Sequence, residues 1–443
     1  MNAVIALLGA AAVAAIGPQL PLSPHTPAHR DSIPAPDVPS LEHWESLAAS
    51  DGRRLCVIDP NPQGGNDGPA IERALTGDCR TNSLVVLAGD VYHIETPMNT
   101  TTLDNVIIHQ YGRLLWSPDI DYWLTVTMPV EFQNQSTVWY FGGDNILWDG
   151  HGFGTLDGNG QVWYDWAHGR GNLPHRPMNI NYRGFNNSIV RNMRYVQSQM
   201  WTMAVTYSRN LLFSDIYVNN TSSSEHNTLN TDGVDTVYSD NITFNRWTVT
   251  NGDDHIALKG NSSNIFVYDS VFYDGQGVAI GSMGQFDGKW EYIENFYARN
   301  ITLYNTAHVS YLKTWSGDAK GYPPNGGGGG RGHARNIVME DIKIYGSRQR
   351  PFFSWQCEHY EGDMGKNCNS SEFKMSDVVW RNVSGTAKLS VDHVGHFQCS
   401  AAAGGCNNFT VENIEIRREG KEELFENWYC ENVFENNGFT CFG

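Results

Sequence analysis

Two short acidic runs carry the residues best suited to breaking a bond: Asn230-Thr-Asp232-Gly and Asn251-Gly-Asp253-Asp254. A lone Asp among Asn- and Gly-rich turns is ordinarily a turn residue whose carboxylate bonds nearby backbone. Three carboxylates converging on one patch have no such use. Acids held that close repel when ionised, so at least one pKa must rise. A protonated acid beside an ionised one is what glycosidic hydrolysis needs. Calcium binding is the competing use of clustered oxygens. Gln276 follows Asp253 by 23 residues, and Tyr311-Leu-Lys313-Thr-Trp315 then offers a cation and two aromatic rings. A lysine is usually a solvated charge, so Lys313 gains meaning only if folding brings it to the acids. The glycine run 326–330 lacks the Gly-Lys-Ser/Thr ending of a phosphate loop and reads as a flexible loop.

Bringing these residues together requires a repeating scaffold. From about residue 85, short β-type runs are separated by Gly, Asn, Asp and Ser, and one unit recurs: an Asn or Asp before an alternating apolar run. It begins at Asn105, Asn145, Asn187, Asn210, Asn241, Asn264, Asn295, Asn336, Asp377 and Asn408, in steps of 40, 42, 23, 31, 23, 31, 41, 41 and 31 residues. A 23-residue minimum with longer steps as inserted loops predicts an all-β, right-handed, single-stranded parallel β-helix. The Asn amide bonds backbone at the bend, and stacked copies form a ladder. A β-sandwich explains short strands but not this recurring unit. Asp232 and Asp253 are 21 residues apart, which predicts the same angular position on adjacent coils, roughly 4.8 Å apart. One short amphipathic helix over 67–75, with Ile71, Ala74 and Leu75 on its apolar face, is expected to cap the stack.

The chain has 443 residues, which suits a solenoid because each coil packs only on its neighbours. Residues 1–17 read as a signal peptide, 18–40 as a flexible Pro-rich leader and 41–443 as one catalytic β-helix domain. Eight cysteines fall into near neighbours, and the expected pairs are Cys56 with Cys79, Cys357 with Cys368, Cys399 with Cys406 and Cys430 with Cys441. None has zinc-site spacing, and no metal or cofactor is expected. Recurring Asn-x-Ser/Thr sequons join these signs of an extracellular, glycosylated protein. A net charge of −18 argues against nucleic acid or an anionic membrane as partner. It permits an anionic polysaccharide held in a local basic cleft, and a monomer is the default.

With Gly275-Gln276-Gly277 and Tyr311-Leu-Lys313-Thr, the two acidic runs resemble the four ordered motifs of family 28 glycoside hydrolases, the polygalacturonase and rhamnogalacturonan hydrolase family. The likeness runs from about residue 60 to 420. It implies that Asp253 is the general acid and that Asp232 and Asp254 position and activate the attacking water, with inversion. Stacked coils place carboxylates closer than the roughly 6.5–9.5 Å usual for inverting enzymes. The resemblance implies sugar contacts from Asn230, Gln276, Tyr311, Lys313 and Trp315. Three departures stand out. Gln276 replaces a His and Tyr311 replaces the Arg that grips galacturonate. His255 replaces a Cys, with Tyr273 or Asp274 near the place of its lost disulfide partner.

These features point to a secreted, exo-acting pectin hydrolase releasing terminal galacturonate from rhamnogalacturonan or oligogalacturonide ends. The alternative within the class is an α-L-rhamnosidase, which the lost Arg suits. A calcium-dependent pectate lyase would need an Arg base that the sequence does not identify near the acids. A non-catalytic wall-binding protein would not need three spaced Asp residues.

Overall fold

The computed structural model describes residues 36–358 and 367–442. The expected signal peptide and most of the expected leader lie outside the described residues. The alternating runs form strands, and 28 of them join one continuous parallel system. Its coils stack in sequence order. Met203–Thr206, Arg209–Ser214 and Tyr217–Asn219 pair with Val234–Val237, Asp240–Asn245 and Thr248–Asn251 of the next coil. This is the expected right-handed parallel β-helix, the hand that parallel crossovers adopt. Alternate apolar residues point inward, so Phe213, Phe244 and Val267 stack coil upon coil in one continuous core.

The recurring Asn marks a backbone bend that costs other residues more. All ten corner residues adopt left-handed φ values of 49–59°, a region Asn and Asp visit more cheaply than most. Their amides also ladder: Asn210 donates to Asn187 at 2.8 Å, Asn241 to Asn210 at 2.9 Å and Asn336 to Asn295 at 3.1 Å. At Asn187 and Asn264 the donation goes instead to Asp144 and Asp240. A second ladder, which the sequence reading missed, links Asn300 to Asp269 and Asn413 to Asn382 at another corner.

The expected helix spans Gly68–Thr76 and buries Ile71 and Leu75 against the first coil. A second helix, Leu41–Ser50, begins at an N-cap Ser40 and packs Trp44 and Ala48 on the outer face of the strand carrying Leu84 and Val86. Two more, Ile120–Val126 and Gly160–Ala167, lie in insertions. These three are only 7–10 residues long, too short for a helical period to stand out from a buried strand run. The four cysteine pairs are disulfides as expected. One sequon asparagine, Asn219, is 3% exposed and has no room for a glycan.

The glycine run is not a flexible loop. Gly328, Gly329 and Gly330 donate to the carbonyls of Gln285, Ser316 and Gly284 at 2.8–3.0 Å. Gly327 and Gly328 have φ of 131° and 114°, and added Cβ atoms would meet backbone oxygens at 2.3 and 2.4 Å. The glycines let this segment pack closely against its neighbours.

Candidate active site

One strand column carries the site. Val234–Val237, Asp254–Leu258, Gly277–Met283 and Ser310–Trp315 lie side by side on successive coils. Val234 pairs with Ile256, so Asp232, two residues earlier, stands level with Asp254. The expected level pairing of Asp232 with Asp253 is therefore off by one residue, because the local coil is one residue longer than their separation. All three acids still converge: one oxygen from each of Asp232, Asp253 and Asp254 lies within 4.8 Å of the others.

The surroundings set the protonation of this cluster. Asp232 is 3% exposed, and burial, then Asp235, Asp253 and Asp254, pushes its carboxyl well above the usual range. Burial and Asp254 also raise Asp253, against the pull of Lys313 and the Asn230 N–H. Three acids in so small a space cannot all ionise, so the cluster holds at least one proton. Asp253 is the least buried of the three. Its Oδ2 accepts the Asn230 N–H at 3.0 Å and its Oδ1 accepts the Asp254 N–H at 3.0 Å, which fixes the side chain toward the groove.

Lys313, two coils beyond Asp254, is brought to the acids: its Nζ bonds Asp254 Oδ2 at 2.8 Å and lies 4.9 Å from the Tyr311 ring centre. Asn230 orients Asp253, and its own Oδ1 accepts the Asn172 N–H at 2.7 Å. Gln276 is half-buried on the turn after the acids, its N–H donated to the Asp253 carbonyl at 2.9 Å. Trp315, expected to meet the sugar, is 1% exposed and presents no open ring face.

Several residues escaped the sequence reading. Asp235, fully buried, pairs with Lys259 at 3.0 Å, and burial raises its carboxyl to about 7 despite that lysine. Lys259 also donates to the Gly281 carbonyl at 2.9 Å and faces the Trp201 ring. Charged residues inside the apolar runs Val234-Asp-Thr-Val and Ile256-Ala-Leu-Lys were the available signal. Arg176 is buried near enough to Asp232 and Asp253 to feel both charges, yet its guanidinium is committed to the Gln199 and Leu229 carbonyls.

Long segments close over this column. Gln133 bonds Gln285, Asn134 donates to the Pro323 carbonyl at 3.0 Å, and Asn325 donates to the Asn172 carbonyl at 3.4 Å. Phe132 and Phe286 meet at 5.5 Å. Segments preceding and following the acids in sequence thus join beside them. Level with Asp232 on the preceding coil sits Trp201, part of a separate apolar cluster with Val130, Phe132 and Met178.

A parallel β-helix bearing this acid triad matches the family model for glycosyl hydrolases family 28 over residues 93–441. The chain belongs to glycosyl hydrolase family 28. It is a glycoside hydrolase. Among curated family 28 relatives, it is 42% identical to the alpha-L-rhamnosidase rgxB of Aspergillus niger, covering 92% of this chain and 94% of that one. It is 32% identical to exopolygalacturonase X-1 of Emericella nidulans, over 82% and 83%. Its fold is shared with the endo-xylogalacturonan hydrolase of Aspergillus tubingensis, with a TM-score of 0.72 at 21% identity, covering 88% of this chain and all of that one. Among the described residues no helix is long and apolar enough to cross a membrane.

Proposed function

We propose that this family 28 hydrolase is a secreted, exo-acting glycosidase of pectin, and that the sugar it removes is terminal rhamnose. The exo reading rests on the cross-groove contacts of Gln133, Asn134 and Asn325 beside the acids, which suit a chain end better than a threaded polymer. The rhamnose reading is supported by the 42% relative's name and by Tyr311 standing where a carboxylate-gripping Arg is common. Without that Arg a terminal galacturonate would bring a charge with one partner fewer, a cost that a neutral sugar avoids. Galacturonate release is the second reading, favoured by Lys313 beside the acids and by the exopolygalacturonase relative.

In this mechanism Asp253 gives its proton to the leaving oxygen as the glycosidic bond breaks, while Asp232 and Asp254 hold the water whose oxygen bonds the anomeric carbon and whose proton passes to this pair, with Lys313 as counter-charge to Asp254. The cluster's spacing, within 4.8 Å, is tight for inversion. Anomeric NMR of the first product decides the stereochemistry. Arg176, tied to two carbonyls, is poorly placed as a lyase base.

Incubation with pectic oligosaccharides ending in rhamnose or in galacturonate tests the reading. Free rhamnose as the first product is expected. Free galacturonate would transfer the proposal to the second reading, and long internal fragments appearing first would overturn the exo claim. An unsaturated product lost with chelator would replace hydrolysis by a lyase.

A further inference from the structure

His255 follows the catalytic pair directly and is fully buried. Its ring lies 4.9 Å from that of Phe272 at an interplanar angle of 12°, so it is wedged flat against the core. Both nitrogens are used on the next coil. Nε2 lies 3.0 Å from the Tyr273 carbonyl, and the Gly277 N–H reaches Nδ1 at 3.1 Å. A carbonyl can only accept and an amide N–H can only donate, so the proton sits on Nε2 and Nδ1 is the acceptor. Burial holds this imidazole at about 4, against the opposing influence of Asp254 and Asp274, which keeps the acceptor available over most of the acidic range.

The two anchor points flank the turn that carries Gln276. That turn runs directly over the ring: a Cβ on Gly275 would come within 2.7 Å of His255 Cε1. The same turn bonds the acids' own backbone, through Gly275 N–H to Asn251 O at 3.1 Å and Gln276 N–H to Asp253 O at 2.9 Å. One side chain therefore ties both ends of the turn to the strand bearing Asp254.

We infer that His255 is a positioning residue: by joining Tyr273 and Gly277 through one ring, it holds the turn whose Gln276 N–H bonds the Asp253 carbonyl. The inference rests on the catalytic reading of the acids, so Asp253→Asn is assayed alongside. Full turnover in that variant would overturn the catalytic reading itself, independently of the His255 result.

The test is kcat and KM on oligosaccharides ending in rhamnose or galacturonate, for the full chain. His255→Phe keeps the ring and removes both hydrogen bonds. It should lower kcat by about tenfold or more with KM within about threefold, since small displacements of a catalytic group cost this much. In a Gln276→Ala background the same change should lower kcat by a similar factor, because the backbone N–H that bonds the Asp253 carbonyl remains. No kcat effect once Gln276 is replaced, or a loss of thermal stability with kcat unchanged, would overturn the proposal. If His255→Phe does not fold, two amide variants carry the test. His255→Asn places an oxygen near the Nδ1 position and keeps the Gly277 bond, while His255→Gln keeps the donor to Tyr273. The Asn variant should retain the higher kcat, and equal values in the two would count against the inference.

Discussion

The coil that carries Asp232 and Asp235 also carries Asn241, and the two ends of this stretch use polar side chains in opposite ways. At the corner, Asn241 sits at φ 56° and donates to Asn210 at 2.9 Å, so a strained bend is eased and an amide satisfied by the same residue. At the acid face, buried oxygens of Asp232 and Asp254 have no hydrogen-bond partner among the described residues. Their carboxyls crowd each other, and only Asp254 has a cation, Lys313, bonded to its other oxygen. Corner polarity repeats on coil after coil because it solves a backbone problem that every coil has. Acid-face polarity occurs once, because it spends folding free energy on a local arrangement that only a substrate can use.

The sharpest way to break this contrast is to neutralise an acid. Asp253→Asn removes the proposed proton donor and should lower kcat by roughly 10²–10⁴-fold. Because Asn cannot ionise beside the neighbouring acids, the melting temperature should stay level or rise. Asp232→Asn should behave alike in stability, since the raised carboxyl of Asp232 already favours its neutral form. Kinetics and thermal unfolding on the same samples check both. A melting temperature that falls sharply in both would mean that these acids serve the fold, like the corner residues.

The Asp235–Lys259 pair tests whether the buried face tolerates a broken pair. Lys259→Met strands Asp235 in a dry site and should cost about 3–5 kcal/mol at pH 8. At pH 5 the loss should be smaller, because Asp235, raised to about 7, is then protonated. Lys259→Met with Asp235→Leu should recover most of the loss. Urea unfolding at the two pH values measures this, and a pH-independent loss would remove the pair from the electrostatic account.

The wild-type protein should show the same logic as a stability window. Asp235 and Glu291 have folded pKa values raised to about 7 from about 4. Their contribution is complete below the unfolded values and fades as pH rises through 7. His255 and His308 are depressed to about 4 from 6.5. Theirs is complete above 6.5 and fades as pH falls through 4. Between about 4 and 6.5 the two acids lose stability with rising pH while the two histidines gain it, so these effects offset, and from 6.5 to 7 only the acids' loss remains. Thermal unfolding from pH 3 to 9 should therefore vary little between about 4 and 6.5, and a maximum above pH 8 would contradict these assignments.

The coil repeat and the acid cluster were legible because both leave marks in one dimension: Asn187 to Asn210 and Asn241 to Asn264 are each 23 residues apart, and Asp253 and Asp254 are adjacent. The cysteine pairs were legible for the same reason. What the sequence hid depends on burial. Trp315 reads as a sugar platform until the glycine segment is seen packing nearby, and that segment reads as loose until its donors are paired. Lys259 and Asp235 lie 24 residues apart on neighbouring coils, and nothing in either run says that their buried side chains meet. His255 was visible only as a departure, because its partners are a carbonyl and an amide, which every residue type supplies.

The smallest effect lies at the corner, where two contributions can be separated at Asn210. It donates to Asn187 at 2.8 Å and accepts from Asn241 at 2.9 Å, at φ 57°. Asn210→Gly keeps the left-handed bend accessible and removes the ladder bonds, so it should cost about 1 kcal/mol. Asn210→Ala removes the same bonds and adds the left-handed penalty of about 1–2 kcal/mol, so it should be the less stable of the two. Neither should change kcat, since the corner faces away from the acid column. Equal stability in the two variants would mean that the ladder bonds, and not the backbone bend, explain why Asn recurs there; a kcat change in either would mean that the two ends of the coil are not independent.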